Sequence, residues 1–289
     1  MRIAIVSDIH ANLAAFESVL ADAKRRGYDS MICLGDVVGY GPDPLECVDL
    51  VRATCQWSLL GNHDFAALYE PTNFNPVARN AAFWTRQQVF ASNPAAISKA
   101  VAALEARKAA GEIDQAALDR RAGYLRDPKS RVDFLFGISP RHVLLDRYIC
   151  VHGSPTRPVN EYLFPTDPEN DPQKLDSVFE RIDRVCLVGH THVPGVFTDD
   201  SEFWPPDELP DRTYVVRPDE KAIVNPGSVG QPRDGDPRAS YAILDTGPDG
   251  KQPTVRFHRV NYDIQLTVDQ IHAIPELHPM LGDRLLEGR

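Results

Sequence analysis

Several short apolar runs in this chain end at segments that contain Asp, Asn or His, and this arrangement constrains the fold more than any other feature. The segments are Asp8-Ile9-His10, Gly35-Asp36, Gly61-Asn62-His63-Asp64, His152-Gly153 and Gly189-His190-Thr191-His192. Five of the nine histidines lie in them. In an open α/β sheet, ligands bind in the crevice beyond the carboxyl ends of the strands. The sequence therefore predicts an α/β fold that gathers these side chains at one such edge.

The pattern between these segments predicts two packed sheets with helices outside them. In the amino-terminal third, apolar runs alternate with amphipathic stretches, as in βαβ units. Strands are predicted at residues 2–7, 30–35, 56–60, 148–151, 185–188, 213–217, 222–224, 240–244 and 255–260. Nine strands are too many for one small parallel sheet. Since no composition shift or linker divides them, we expect residues 1–289 to form one domain.

Helix signals occupy much of the remaining chain. Asn12 and Asp43 are expected to cap the helices that follow them, with Glu46 completing a capping box in the second. Residues 65–146 are predicted to be a helical region, with helices at 76–90, about 95–110 and 114–125, and about 91–146 are predicted to form a helical insertion. This insertion is either an exposed decoration built from good helix formers or a cap over the site, and an oligomerisation surface is a further alternative.

Composition narrows the class of protein. The net charge of −10 argues against a broad basic surface for polymeric nucleic acid. The five cysteines are odd in number and form no CxxC pair, which predicts reduced thiols. The first residues do not resemble a signal peptide, and no apolar run approaches the roughly 20 residues of a membrane span. We therefore expect a cytoplasmic protein without a membrane partner.

The ligand types in the five segments indicate a transition-metal site. Carboxylates, imidazoles and an amide without a thiolate suit Mn, Fe, Co, Ni or Zn, with Mn as our preferred ion, and disfavour Ca and Mg. Two such ions roughly 3.5 to 4 Å apart activate a bridging water for attack on a phosphoester. Asp8 and His10, two residues apart on an extended chain, are expected to reach one ion. His190 and His192 either share an ion or diverge towards two.

His63 requires a different role from Asn62, because adjacent side chains rarely reach the same ion. We interpret it as a general acid that protonates the leaving alkoxide, with Asp64 holding its ring in orientation. The alternative is a structural histidine. Arg233 is a candidate for contact with a substrate phosphate, against the alternative of a solvated loop arginine. Tyr40 and Tyr162 are interpreted similarly, as lip residues or packing residues.

Together these motifs resemble the calcineurin-like metallophosphoesterase superfamily. Its pattern of D-x-H, G-D, G-N-H-[DE], a later H and G-H-x-H is matched in order by SDIH, GDVV, GNHD, VHGS and GHTH. The stretches GDVVGYGPDP and NPGSVGQPRDGDPRASYAILD are similar to the compact prokaryotic branch of phosphodiesterases and diadenosine-tetraphosphatase-like proteins. The resemblance spans nearly the whole chain and is weakest over residues 91–146.

The resemblance implies a fold, a ligand set and an activity. The fold is a four-layer αββα sandwich of two mixed sheets flanked by helices. The expected ligands are Asp8, His10, Asp36 and His192 for one metal ion, and Asp36, Asn62, His152 and His190 for the other, with Asp36 bridging. His63 falls on the catalytic histidine of the family. The implied activity is hydrolysis of phosphodiesters or phosphomonoesters of small or nucleotide-like substrates.

Two other functions compete with this interpretation. One is a protein-binding scaffold of the same fold that has lost catalysis, although such drift would be expected to remove His63 or a ligand first. The other is a nuclease, which the acidic charge balance disfavours. The oligomeric state is left open by the sequence.

Overall fold

The chain folds into two mixed β-sheets that pack face to face, as the number of strand candidates indicated. The computed structural model describes residues 1–90, 94–111, 113–247 and 252–289. The strands are β1 (Arg2–Val6), β2 (Ser30–Cys33), β3 (Arg141–Leu144), β4 (Tyr148–Val151), β5 (Val185–Leu187), β6 (Gly195–Thr198), β7 (Glu202–Trp204), β8 (Thr213–Val215), β9 (Ala222–Asn225), β10 (Ala239–Asp245) and β11 (Thr254–Val260). One sheet has the order β2-β1-β10-β11-β8, and the other has the order β3-β4-β5-β9-β6-β7.

Helices cover the outer face of each sheet. They are α1 (Leu13–Arg26), α2 (Pro44–Thr54), α3 (Asn62–Leu68), α4 (Pro76–Phe90), α5 (Pro94–Ala109), α6 (Gln115–Leu125), α7 (Pro128–Gly137), α8 (Asp167–Asn170), α9 (Pro172–Phe179), α10 (Ile264–His272) and α11 (Met280–Asp283). No helix in the described ranges is both long and apolar enough to cross a bilayer.

Alternate side chains of β1 point to opposite faces of its sheet, which explains how the layers pack. Ile3 and Ile5 point into the core between the sheets, whereas Ala4 and Val6 pack in the cluster that contains the buried face of α1. On the far side, α9 packs on the second sheet. Burying each large apolar side chain contributes about 1.5–3 kcal/mol, so a strand that is buried on both faces reads as a continuous apolar run.

Parallel pairing brings the metal-ligand segments to one edge. β1 pairs in parallel with β2, and β4 pairs in parallel with β5, which is parallel to β9. Beyond the strand ends, the Asp8 amide donates to Gly35 O (3.0 Å), and the Gly189 amide donates to His152 O (2.9 Å). The two pairs of neighbouring segments are therefore tied together by backbone hydrogen bonds.

Some strand predictions were wrong. Residues 56–60 form only isolated bridges, Cys33 with Ser58 and Leu59 with Ser139, although the segment runs beside β2. The structure adds β3, which lies within the region predicted to be helical, and the hairpin of β6 and β7. β3 is an edge strand with mostly exposed or half-buried side chains, and β7 has three residues, so neither gives a strong apolar signal.

The helix caps were predicted with mixed success. Asn12 accepts a hydrogen bond from the Ala15 amide (3.1 Å), as expected for the start of α1. Asp43 occupies the cap position of α2 but makes no side-chain capping hydrogen bond, so the predicted capping box with Glu46 is wrong. The Asp43 carboxyl instead faces the Leu13 amide, and burial raises its pKa to about 8.

The helices α5 and α6 pack against the helical layer outside the first sheet. Their shared apolar cluster includes Val101, Leu104 and Leu118. Glu17 of α1 forms ion pairs with Arg107 (2.5 Å) and with Arg121, which join both helices to the body of the protein. These contacts hold the pair beside α1 and α2.

Candidate metal centre

Three of the five predicted segments, those after β1, β2 and β5, leave their strands through tight turns. Asp8, His10, Asp36, His190 and His192 all have positive φ angles, between 48° and 66°. A non-glycine residue in this region is strained by roughly 1–2 kcal/mol, and such residues cluster at functional sites. Asp8 and His10 do belong to one group, but the predicted reason, an extended backbone between them, is wrong. Each side chain is aimed by a left-handed turn.

One group of potential ligands comprises Asp8, His10, Asp36 and His192, whose ligand atoms all lie within 4.8 Å of one another. His192 Nε2 is 3.2 Å from Asp8 Oδ1, and His10 Nε2 is 3.6 Å from Asp36 Oδ2. The Nε2 atoms of His10 and His192 are only 3.1 Å apart. Two imidazole lone pairs at this distance repel each other unless a proton or a cation lies between them.

The second group comprises Asp36, His152 and His190. His152 Nε2 lies 3.2 Å from Asp36 Oδ2 and 3.2 Å from Asn62 Oδ1, which adds the amide oxygen to this side. Asp36 belongs to both groups, so its carboxylate links them. His190 lies in this group and His192 in the first, the same division that the resemblance implies for their side chains.

The outer nitrogens of three histidines are held by backbone carbonyls. The Nδ1 atom lies 3.2 Å from Val38 O in His10, 2.9 Å from Leu34 O in His152 and 2.5 Å from Gln231 O in His192. A Nδ1–H that donates to a carbonyl leaves the Nε2 lone pair directed inward, as metal-ligating histidines require.

His190 provides the sharpest test of whether these residues fit a cation. Its Nε2 is buried without a hydrogen-bond partner among the described residues. Burying such a nitrogen unpaired costs on the order of 1–3 kcal/mol. A divalent cation would satisfy it, and the neighbouring donor set of carboxylate, imidazole and amide suits such an ion. The residues present therefore fit a metal centre.

Charges within the centre also favour a cation. Burial alone would raise the pKa of Asp36, but the His152 imidazole holds it well below its ordinary value. Burial lowers the pKa of His190 to about 3, and His152 adds to the shift. Although burial opposes it, Asp36 raises the pKa of His152 to about 9. At neutral pH the metal-free centre thus holds an ionised Asp36, a neutral His190 and a protonated His152.

His63 lies beside the centre, but Asp64 does not orient its ring. The Asp64 carboxylate accepts hydrogen bonds from the Gly61 amide (3.0 Å) and the Val38 amide (3.1 Å), whereas His63 Nδ1 has no hydrogen-bond partner in the part of the chain described. The predicted contact between Asp64 and the imidazole is therefore wrong. Asp64 fixes the start of α3 and the turn after Asp36.

Aromatic packing orients the His63 ring instead. Its centroid lies 4.2 Å from the Tyr40 ring and 4.7 Å from the Phe74 ring. The His63 amide donates to Asp36 Oδ1 (2.8 Å), which joins the residue to the bridging carboxylate. Burial lowers the pKa of His63 to about 4, so the ring is neutral in the free site. Gly39 faces the ring so closely that an added Cβ would lie 2.5 Å from His63 Nδ1.

Arg233 lies at the edge of the centre rather than in a solvated loop. Its amide donates to His192 O (3.3 Å), and its guanidinium donates to Gln231 Oε1 (2.9 Å) and lies 5.9 Å from the centroid of the Tyr40 ring. Arg284, which follows α11, is a second cation here that sequence reasoning missed. Burial lowers its pKa, and the charge of Arg233 adds to this shift.

Two serines and two aromatic residues close to the centre also have defined contacts. The Ser228 hydroxyl donates to Asp8 O (2.8 Å) and helps to hold the first ligand turn. The Ser154 hydroxyl contacts the Glu161 carboxylate. Tyr162 stacks on His190 and is a true lip residue, joined by Phe164, which sequence reasoning did not single out.

Comparison with known proteins agrees with this geometry. Residues 1–249 match the family described as the calcineurin-like phosphoesterase superfamily domain. An uncharacterized protein of Methanocaldococcus jannaschii is 33% identical over a 292-residue alignment that covers 99% of this chain and 98% of that protein. The crystal structure of a metallophosphoesterase from Sphaerobacter thermophilus is similar over the full length of both chains, with 36% identity and a TM-score of 0.73. A hypothetical protein from Pyrococcus horikoshii OT3 shares the fold at 18% identity, with a TM-score of 0.60 and coverage of 100% and 98%.

Proposed function

Since the chain belongs to the calcineurin-like phosphoesterase superfamily, we propose that it is a metal-dependent hydrolase of phosphodiesters or phosphomonoesters with small or nucleotide-like substrates. The observation that carries this proposal is the pair of buried ligand groups that share Asp36. A scaffold that had lost catalysis would have no need to keep such costly buried polar groups together. The net charge of −10 favours a small substrate over polymeric nucleic acid.

We assign two divalent transition-metal ions to these groups, with Mn as the preferred ion. Asp8, His10, Asp36 and His192 would hold one ion, and Asp36, Asn62, His152 and His190 would hold the other. When bound, the ions supply Lewis-acid activation of a water molecule and stabilise the charge that develops on phosphate oxygens. His152 must first lose the proton that it carries at neutral pH in the metal-free centre, after which every ligand is neutral or anionic. All the ligands are buried, and most are fixed by a backbone hydrogen bond or a tight turn.

The side chains around the centre bind the phosphate and transfer the proton. Arg233 is positioned to donate to a non-bridging phosphate oxygen, since its guanidinium carries no ion pair among the described residues. His63 donates a proton to the leaving alkoxide. Its ring is neutral in the free site, but an anionic phosphate beside it favours the imidazolium, so binding of substrate raises its pKa towards the working range.

Turnover by a matched pair of variants tests the proposal. The metal-stripped protein is assayed with and without added Mn on a phosphomonoester, a phosphodiester, a dinucleoside polyphosphate and single-stranded DNA. His63→Ala is compared with His278→Ala, which removes an exposed histidine. We expect Mn-dependent turnover of at least one small substrate and a loss of about 10²–10⁴-fold in kcat for His63→Ala only. Absence of metal-dependent turnover would favour the scaffold, and turnover of DNA alone would favour the nuclease.

A further inference from the structure

Two exposed aromatic rings continue from the metal centre towards solvent. The Tyr162 ring stacks on the imidazole of His190 with a centroid separation of 3.7 Å and an interplanar angle of 24°. The Phe164 ring is nearly parallel to Tyr162, at 5.3 Å and 7°. Tyr162 is 37% exposed and Phe164 is 47% exposed. The rings of these two residues, the aromatic pair, are therefore parallel and in contact with water beside a metal-ligand residue.

The loop that carries the aromatic pair is held at several points. The Gly153 amide donates to Pro158 O (2.7 Å), and the hydroxyls of Ser154 and Thr156 contact the Glu161 carboxylate. The Thr191 hydroxyl donates to Leu163 O (2.9 Å), which joins the loop directly to the segment of His190 and His192.

A second set of contacts holds the far side of the loop. The Phe164 amide donates to Asp167 Oδ2 (2.7 Å) at the start of α8. Lys174 of α9 forms an ion pair with Asp167 (2.5 Å) and donates to Tyr162 O (3.3 Å). A pair of rings fixed in this way loses little conformational freedom when a ligand stacks on it, which favours binding.

One cation lies beside the aromatic pair and another beside the metal centre. Lys174 Nζ lies 5.8 Å from the centroid of the Phe164 ring. At the metal centre, the Arg233 amide donates to His192 O (3.3 Å), and the Arg233 guanidinium lies 5.9 Å from the centroid of the Tyr40 ring. The surface thus combines a phosphate-binding end with a planar apolar end, and it suits a ligand in which an anionic group is joined to a planar ring.

We propose that Tyr162 and Phe164 form a stacking subsite for the heteroaromatic base of a nucleotide, whose phosphate lies at the metal centre. This inference rests on the proposed function and specifies its substrate class. A second copy of the chain stacked on the same rings is the competing occupant. The stacking of Tyr162 on His190 favours the base, because one small ligand then reaches both the rings and the metal centre.

Equilibrium binding tests the subsite without relying on turnover. Calorimetric titration of the Mn-loaded protein compares adenosine 5′-monophosphate with ribose 5-phosphate, which lacks the base, each used as its non-hydrolysable phosphonate analogue. Phe164→Ala is the main variant because Phe164 is exposed and does not contact a metal ligand. We expect the nucleotide to bind roughly 5- to 100-fold more tightly than the sugar phosphate, and Phe164→Ala to abolish most of that difference. Phe164→Tyr and Tyr162→Phe keep the rings and should keep the preference.

The controls separate this inference from the proposed function. Phe136→Ala removes another exposed ring, 48% exposed, and should leave both affinities unchanged. Binding of ribose 5-phosphate reports on the phosphate site alone, so its loss would count against the proposed function rather than the base subsite. Equal affinity of the wild-type protein for both ligands would overturn the inference, as would a preference that survives in Phe164→Ala. A change of oligomeric state on gel filtration of Phe164→Ala, with no change in preference, would assign the rings to a second copy of the chain.

Discussion

Replacing Gly39 by alanine should disable the proposed general acid while leaving every metal ligand in place. Gly39 has φ +94°, and a Cβ built there would lie 2.5 Å from His63 Nδ1 and 2.9 Å from His63 Cβ and Cγ. Ordinary contact begins at 3.4 Å. The imidazole must therefore move by about 1 Å, and a displacement of this size in a reacting group costs roughly 10²-fold in rate. We expect kcat to fall by about that factor.

Gly39→Ala has two effects that must be distinguished, strain in the backbone at residue 39 and displacement of the His63 ring. Alanine at φ +94° costs about 1–2 kcal/mol of folding free energy whatever its surroundings. Gly111 provides the control because it has φ +77° with no described atom within 4 Å of an added Cβ. Gly111→Ala should lose a similar free energy of unfolding in urea titration and keep its kcat.

The assay measures kcat on the best substrate, the metal content and the unfolding free energy of both variants. Gly39→Ala should retain the wild-type metal content, since the ring that it displaces is assigned no ion. Wild-type kcat in a folded, metal-replete Gly39→Ala protein would refute the role given to His63. A matching loss of metal would show that the substitution disturbs the ligand turn after Asp36 instead.

Further expectations concern the metal ligands, the phosphate contact and the core. Asn62→Ala should reduce the bound metal from about two ions per chain to about one, by elemental analysis. Because Asp36 raises the pKa of His152 to about 9, the ring is protonated at pH 7 in the metal-free protein and must lose that proton to bind. Metal affinity should therefore rise up to tenfold per pH unit from pH 7 and level off near pH 9, and a pH-independent affinity in competition titrations would contradict this. Arg233→Ala should raise KM for every phosphoester with a smaller effect on kcat. Arg131 is fully buried and pairs at 2.7 Å with Asp49, which also pairs with Arg52 at 3.2 Å. Because Arg52 still compensates part of the Asp49 charge, Arg131→Met should cost at most about 3–5 kcal/mol in urea unfolding, and Asp49→Asn in the same chain should recover part of that loss.

Much of the fold could be predicted because the strands of the two sheets are buried on both faces. β1, β4 and β10 appear as nearly continuous apolar runs in the sequence, because an apolar layer covers each face of these strands. β3 and β7 were missed because they lie at sheet edges, where alternation is weak and one face is exposed. The segment 56–60 has the apolar pattern of a strand but makes only two isolated bridges.

The roles of Asp64 and Asp43 show where local patterns mislead. Both were assigned a partner close in sequence, His63 for one and Glu46 for the other. In the structure, Asp64 accepts from the Val38 amide, and Asp43 faces the Leu13 amide. A carboxylate in a buried turn takes the backbone donors that the fold brings to it, because an unsatisfied buried amide is costly, and those donors lie on other elements.

The sequence by itself determined the chemical character of the centre. Residue patterns record local properties. The types of ligand, their order and their positions after apolar runs are properties of this kind. Only the tertiary structure decided how closely the ligand side chains lie together, that positive φ angles aim several of them, and that His63 is oriented by Tyr40 and Phe74. It also placed Phe164 beside the site. Such contacts join segments up to 182 residues apart, and their distances follow from strand order and register, which no single segment encodes.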